Sequence, residues 1–184
     1  MNIEISEMKE EDFPAVKEIE HLAFPGSWPA DVFWSELFCN DLSHYCVARA
    51  GGRVVGYGGV WLVLDEAHIT TMAVHPEYRR FGIGSKVLFW LLDQAACKGM
   101  SRATLEVRES NLAARKLYES FGFEAVGVRK NYYLDDSEDA VIMWTQELSS
   151  EEQQARLGRL REKLSASFFR PGSRLERKWA PSSS

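Results

Sequence analysis

A short glycine-punctuated loop, Arg79-Arg80-Phe81-Gly82-Ile83-Gly84-Ser85, lies between an apolar strand-like run, Ile69 to Val74, and a helical pattern that begins near Gly82. A strand that passes through such a loop into a helix points the first backbone amides of the helix the same way, at the end where the macrodipole favours negative charge. Gly82 and Gly84 carry no Cβ, so a bulky anion can approach the chain closely. Two arginines just upstream add positive charge. The loop therefore reads as a site for a phosphate or pyrophosphate. It is not a nucleotide P-loop, because Gly84-Ser85-Lys86 reverses the required Lys-Ser/Thr order. It is not a dinucleotide fingerprint either. Val87 stands where a small residue is needed, and His75-Pro76-Glu77-Tyr78 separates the strand from the first glycine.

The rest of the chain builds around this strand–loop–helix unit. Residues 2–8 predict a strand, and Glu10 to Phe24 a helix with Phe13, Val16, Ile19 and Ala23 on one face. Pro25-Gly26-Ser27-Trp28-Pro29 breaks it, and Asp31 to Phe38 makes a second, short helix. Tyr45 to Ala50, the Gly51-Gly52 turn and Val54 to Leu64 form a hairpin, which Asp65-Glu66 turns into Ala67 to Val74. After the loop, Ile83, Val87, Leu88, Leu91, Leu92 and Ala95 mark a helix that Gly99 closes. Thr104 to Val107 is a strand. A helix capped by Ser110 follows, with Ala114, Leu117 and Phe121 inward. Phe123 to Leu134 and Ala140 to Leu148 are two more strands, joined by the acidic turn Asp135-Asp136-Ser137-Glu138-Asp139. The order is that of an α/β chain with a mixed sheet.

Composition narrows the class. The 184 residues, 45% hydrophobic and 27% charged, suit one globular domain. Cys39, Cys46 and Cys97 are too few and scattered for a disulfide framework, and no Cys/His cluster has zinc spacing. The start of the chain lacks the basic and apolar segments of a secretory signal, and no apolar run approaches the roughly 20 residues of a membrane span. A cytoplasmic protein with no membrane partner and no metal is expected. Residues 1–148 hold 14 basic against 23 acidic residues, whereas 149–184 hold 8 against 4. An acidic body disfavours a specific nucleic-acid partner and suits a cationic substrate. Past Leu148, Leu157, Leu160 and Leu164 give a narrow helical stripe interrupted by Gly158, and residues 165–184 are rich in Ser, Arg and Pro. The extension 149–184 is thus expected to be partly helical or disordered, and its basic balance leaves contact with a nucleic acid or another acidic partner open.

Two side chains are candidates for proton transfer. On the strand Thr104 to Val107, Glu106 faces away from Leu105 and Val107, where it can take a proton from an amine or simply be solvated. Tyr118 shares a helix face with Asn111, rotated away from Leu117 and Phe121. Its hydroxyl can donate a proton to a leaving group, or the ring can merely edge the core.

The R-x-x-G-x-G arrangement after a strand resembles the acetyl-coenzyme A pyrophosphate loop of the GNAT superfamily of N-acetyltransferases. Leu117-Tyr118-Glu119-Ser120-Phe121-Gly122-Phe123 resembles its L-Y-x-x-x-G-F segment. Leu64-Asp65-Glu66-Ala67, Leu105 to Asn111, Arg129-Lys130-Asn131-Tyr132-Tyr133 and Glu138-Asp139-Ala140-Val141-Ile142-Met143 are together similar to the ribosomal-protein-alanine N-acetyltransferases, the RimI type. The likeness spans nearly all of residues 3–148 and does not cover the extension.

The resemblance implies a GNAT acyltransferase fold over residues 1–148, with a mixed central sheet of about seven strands flanked by helices. It implies acetyl-CoA as cosubstrate, held by the backbone of Met72, Ala73 and Val74, by Arg80, Phe81, Gly82, Ile83, Gly84 and Ser85 at the pyrophosphate, and by Asn111. It also implies Glu106 as general base, Tyr118 as general acid and direct transfer without an acyl-enzyme. The implied substrate is the amino terminus of a protein, a ribosomal protein beginning with alanine. The family's compact F-P-W-[ST] turn is replaced here by Phe24-Pro25-Gly26-Ser27-Trp28-Pro29. A free α-amine, with pKa ~7.7–8.0, is roughly a third or less neutral near pH 7, against about one part in a thousand for lysine. That eases the task of a carboxylate base on an α-amine. Acetylation of lysine or small amines, or non-catalytic acyl-CoA binding, are the alternative readings.

Overall fold

Alternating strand and helix patterns place one sheet at the centre of the molecule with helices on both faces. The computed structural model describes residues 2–24 and 29–166. Its strands are β1 (Ile3–Glu7), β2 (Ser43–Ala50), β3 (Arg53–Val63), β4 (Glu66–Val74), β5 (Arg102–Arg108), β6 (Phe123–Arg129) and β7 (Ala140–Thr145). Its helices are α1 (Phe13–Ala23), α2 (Ala30–Cys39), α3 (Ile83–Cys97), α4 (Leu112–Ser120) and α5 (Glu151–Ala166). Among the described residues no helix is long and apolar enough to cross a membrane.

The seven strands form a mixed sheet in the order β1-β2-β3-β4-β5-β7-β6, as the sequence predicts in class and strand number. All neighbours are antiparallel except β4 and β5, which α3 connects as a crossover. On one face Val55, Val60, Ala67 and Ile69 pack against Ile83, Val87, Leu88, Leu91 and Leu92 of α3. On the other, Tyr45, Val47, Tyr57 and Ala73 meet Val16, Ile19, Phe33 and Leu37 of α1 and α2.

The parallel pair is short. It joins Glu66 to Arg102, Ala67 to Ala103 and His68 to Thr104, and then stops while both strands continue. A bulge marks the same place. Thr70 falls between the pairs Val60/Ile69 and Gly59/Thr71, which bends β4 and reverses its side-chain parity. Ala67, Ile69, Met72 and Val74 consequently all serve the α3 face. The sheet opens into a wedge between Ile69–Val74 and Leu105–Arg108.

Several boundaries differ from the sequence pattern. Pro14 belongs to the first turn of α1, where its missing N–H costs nothing, so the helix begins at Phe13 and Glu10–Asp12 forms a 3-10 turn. Asn111, not Ser110, caps α4, its Oδ1 accepting from the Ala114 amide at 3.1 Å. The Ser110 amide instead donates to Glu138 Oε1 at 2.7 Å. β6 ends at Arg129 rather than Leu134, because Asn131 (φ 52) and Ser137 (φ 59) turn residues 130–139 out of extended geometry. β7 likewise ends at Thr145.

Residues 151–166 of the expected extension form α5, which seats on the body. Leu157 is buried, the buried Gln153 donates from Nε2 to the Phe121 carbonyl at 2.9 Å, and Arg161 pairs with Asp93 of α3 at 2.8 Å. The Ser/Arg/Pro-rich segment 167–184 lies outside the described residues, as does the Pro25–Trp28 turn.

β3 owes its close packing to glycine. Tyr45 lies directly across from Gly59, and a Cβ there would stand 2.1 Å from the tyrosine Cε1. Gly59→Ala should therefore displace the buried Tyr45 ring and destabilise the fold by about 1–3 kcal/mol. Urea denaturation would register this as a lower midpoint at unchanged slope.

Candidate active site

Glu106 projects from β5 on the face opposite the buried Leu105 and Val107, as its strand parity predicts. It is not a solvated carboxylate: the side chain is only 9% exposed and two basic side chains flank it. His68 of β4 places Nε2 2.7 Å from Oε2, and Arg129, the last residue of β6, reaches Oε1 at 3.2 Å. An ionised carboxylate only accepts hydrogen bonds, so these partners help hold its charge in a place with little water. His68 also meets Trp61 edge-on, with ring centroids 6.2 Å apart, and Trp61 Nε1 donates to Glu36 Oε1 on α2. Tyr45 donates to the same oxygen at 3.0 Å, and Asn40 donates to Oε2 at 3.0 Å. A polar row thus crosses the sheet from Glu36 through Trp61 and His68 to Glu106 and Arg129. A surface hollow lined by Asp31, Val32, Ser35, Glu36, Cys39 and Asn40 opens at the α2 end.

Tyr118 lies on α4, half-buried, with its ring 5.8 Å from that of Phe123. Its hydroxyl makes no hydrogen bond among the described residues. Burial pushes its pKa up to about 12, with the nearby Tyr133 adding to the effect, so the phenol keeps its proton at neutral pH.

Tyr133 comes from the loop 130–139 and is also raised to about 12, by burial first, with the Arg108 charge opposing and Tyr132 and Glu106 adding. The loop is folded onto Arg108 of β5. The guanidinium donates to Asp135 at 2.7 and 2.8 Å, to Asp136 at 2.9 Å twice and to Glu138 at 3.1 Å, and it lies 3.9 Å from the centroid of the Tyr133 ring. Arg108 pulls the Asp135 and Glu138 carboxyls below their ordinary values, for Glu138 after the larger pull of Ser110.

The glycine loop has the open character expected of it. Gly82, in the left-handed region at φ 76, precedes α3 with no side-chain cap. The first helical bond of that turn runs from the Lys86 amide to the Gly82 carbonyl at 3.2 Å, so the amides of Ile83, Gly84 and Ser85 have no partner within the helix. Arg80 also adopts positive φ, 70°, which is uncommon for a residue with a side chain, and it is exposed. Arg79 Nε donates to the Val74 carbonyl at 3.2 Å and ties the loop to the end of β4. A Cβ on Gly84 would lie 3.4 Å from Leu117 Cδ2, so the first turn of α3 passes beside the part of α4 that carries Tyr118. Uncapped amides and an exposed arginine fit a diphosphate, and the unpaired edge of β4 at Met72, Ala73 and Val74 fits an extended amide-bearing arm.

Sequence reasoning missed His68, Arg108, Arg129 and Tyr133 as partners of the site. Arg108, Arg129 and Tyr133 fell only within matching motifs. The His68–Glu106 pair needs the β4–β5 neighbourhood to be known, since parity alone does not show which strands adjoin. Asn111 is placed at the start of α4, its side-chain oxygen occupied by the cap.

Residues 13–123 match the acetyltransferase (GNAT) family. A Bacillus subtilis (strain 168) protein named as a putative ribosomal protein bS18-alanine N-acetyltransferase is 42% identical over 140 residues, 76% of this chain and 93% of that protein. The ribosomal protein bS18-alanine N-acetyltransferase of Escherichia coli (strain K12) is 38% identical over 141 residues, 76% of this chain and 94% of that protein. The crystal structure of the ribosomal-protein-S18-alanine N-acetyltransferase from Escherichia coli superposes with a TM-score of 0.74 at 35% identity, over 81% of this chain and 96% of that one. The chain belongs to the GNAT acetyltransferase family.

Proposed function

We propose that this acetyltransferase moves the acetyl group of acetyl-CoA to the α-amine of a protein amino terminus, a ribosomal protein beginning with alanine, in the cytoplasm. The names and identities of its relatives support that substrate class. The observation that carries the chemistry is a carboxylate and a protonated phenol on consecutive elements, Glu106 on β5 at the wedge and Tyr118 on α4, which passes beside the glycine loop. In this reading Arg80 to Ser85 bind the diphosphate, the backbone of Met72, Ala73 and Val74 aligns the pantetheine arm, and Asn111 borders the coenzyme at the start of α4.

Glu106 takes the proton that the amine nitrogen gives up as the new C–N bond forms. Tyr118 gives its hydroxyl proton to the sulfur as the C–S bond breaks, and solvent restores both groups for the next turnover. His68 holds Oε2, which leaves Oε1 to face the amine. Arg129 shares Oε1 and its side chain is 56% exposed, so an incoming ammonium can displace it without unburying a charge. No cysteine and no metal enters these steps. The acidic body and the Glu36 end of the polar row suit a cationic peptide, and neither a membrane nor a specific nucleic acid is part of this reading.

Glu106→Gln should lower turnover by about 10²-fold or more and leave acetyl-CoA affinity nearly constant. Thiol release with an Ala-first peptide and calorimetry with acetyl-CoA would read the two quantities, and full retained turnover would remove Glu106 from the role.

Tyr118→Phe should cut turnover by a similar factor, and by the same factor from pH 6 to pH 10. The wild-type phenol titrates at about 12, so it stays protonated across that window. An alkaline limb below pH 10 that disappears in the variant would contradict this assignment.

Peptides identical except for a blocked amino terminus should separate α-amine from lysine transfer. Mass spectrometry is expected to find acetyl only on the free terminus, and acetylated lysine on the blocked peptide would favour the alternative.

A further inference from the structure

We infer that Arg108 is a positioning residue of the active site, which clamps the loop 130–139 onto the face of β5 that carries Glu106 and holds the Tyr133 ring there. The inference rests on the proposed role of Glu106.

Arg108 engages three carboxylates of one loop through five hydrogen bonds and lays its guanidinium face over Tyr133 at 3.9 Å. Arg108 favours the charged forms of Asp135 and Glu138, so the pairs hold the loop to β5, and the shape of the group fixes how the loop lies. The fork geometry of guanidinium can bind two carboxylates side by side while its plane stacks on a ring, a combination that an ammonium cannot reproduce.

The loop is fastened at further points. The Tyr133 amide donates to the Glu138 carbonyl at 3.1 Å, the Glu109 amide to the Asp139 carbonyl at 3.1 Å and the Ser110 amide to Glu138 Oε1 at 2.7 Å. The first closes the loop on itself, and the other two tie it to the connection between β5 and α4. Arg108 follows Glu106 on the same face of β5, and Tyr118 lies on the helix that starts just past Ser110. One clamp therefore references the Tyr133 ring to the strand that carries Glu106 and to the connection that leads into α4. Tyr132 (43% exposed) and Leu134 (95% exposed) flank Tyr133 on the solvent side, so the same clamp presents an apolar lip to an arriving peptide.

Arg108→Lys, Tyr133→Ala and the double variant, assayed as the full chain with an Ala-first peptide, test this as a double-mutant cycle. Each single change should lower kcat/KM for the peptide by roughly 10- to 100-fold with the acetyl-CoA dissociation constant unchanged, since the glycine loop is untouched. The double variant should be no worse than the more damaging single one, because Arg108 acts through Tyr133. Losses that multiply, or full kcat/KM in Arg108→Lys, would overturn the inference. Should Arg108→Lys fail to fold, Asp135→Asn combined with Asp136→Asn keeps the arginine and loosens only the loop, and it must reproduce the loss. Glu106→Gln in the same assay separates the two levels. Full activity there sinks the base assignment, whereas an additive Arg108/Tyr133 cycle beside an inactive Glu106→Gln sinks only the clamp.

Discussion

Everything at the site depends on the brevity of the parallel pairing between β4 and β5. Three residue pairs hold the two strands together, and after His68 and Thr104 they part. A longer ladder would have satisfied the backbone groups on the facing edges and closed the sheet. Stopping it leaves main-chain donors and acceptors along Ile69–Val74 and Leu105–Arg108 that must find partners elsewhere. The bulge at Thr70 bends β4 away while the parity it reverses puts Met72 and Val74 on the α3 face. The chain thus opens a slot at the middle of its own sheet without exposing the core. The same strand end delivers Val74 to Arg79 and leads into the uncapped first turn of α3.

Charge at the slot is arranged by geometry more than by net balance. Glu106 is nearly buried and lies between an imidazole and a guanidinium. Tyr118 has no such partner, and burial drives it toward a firmly held proton. The two groups thus differ in what surrounds them: basic partners at the carboxylate, none at the phenol among the described residues. Different elements set these surroundings: strands supply the partners of Glu106, whereas Tyr118 lies half-buried on α4 beside the Phe123 ring.

What the sequence made legible was local. The β-loop-α unit, the Gly51-Gly52 hairpin and the outward parity of Glu106 each follow from spacing over a few residues, and each is where the pattern puts it. What stayed hidden was relational. His68 meets Glu106 only because β4 and β5 adjoin, and nothing in either strand alone announces that. Ser110 looked like a cap because it is a serine before a helix, but its amide is claimed by Glu138, distant in sequence, and the helix starts one residue later. The run after Phe123 looked like a long strand because Tyr132 and Tyr133 are good strand formers. Arg108 overrode that preference by folding the acidic stretch back on itself.

α4 shows how such distant claims shape the site. It is short and, although amphipathic, has no fully buried residue of its own, so propensity and packing alone would hold it loosely. It is secured instead at its ends. The Asn111 cap and the Glu138–Ser110 bond fix its start. At its finish Phe121 is fully buried, and Gln153 of α5 donates to the Phe121 carbonyl. Gly122, at φ 90, lies so close to that glutamine that a Cβ would stand 2.5 Å from its Oε1. Tyr118 sits between these anchors. A side chain on a sheet strand such as Glu106 is rigid by default, but one on a marginal helix such as Tyr118 must be held there, and α5, which lies past the residue 148 limit of the motif resemblance, supplies part of the hold.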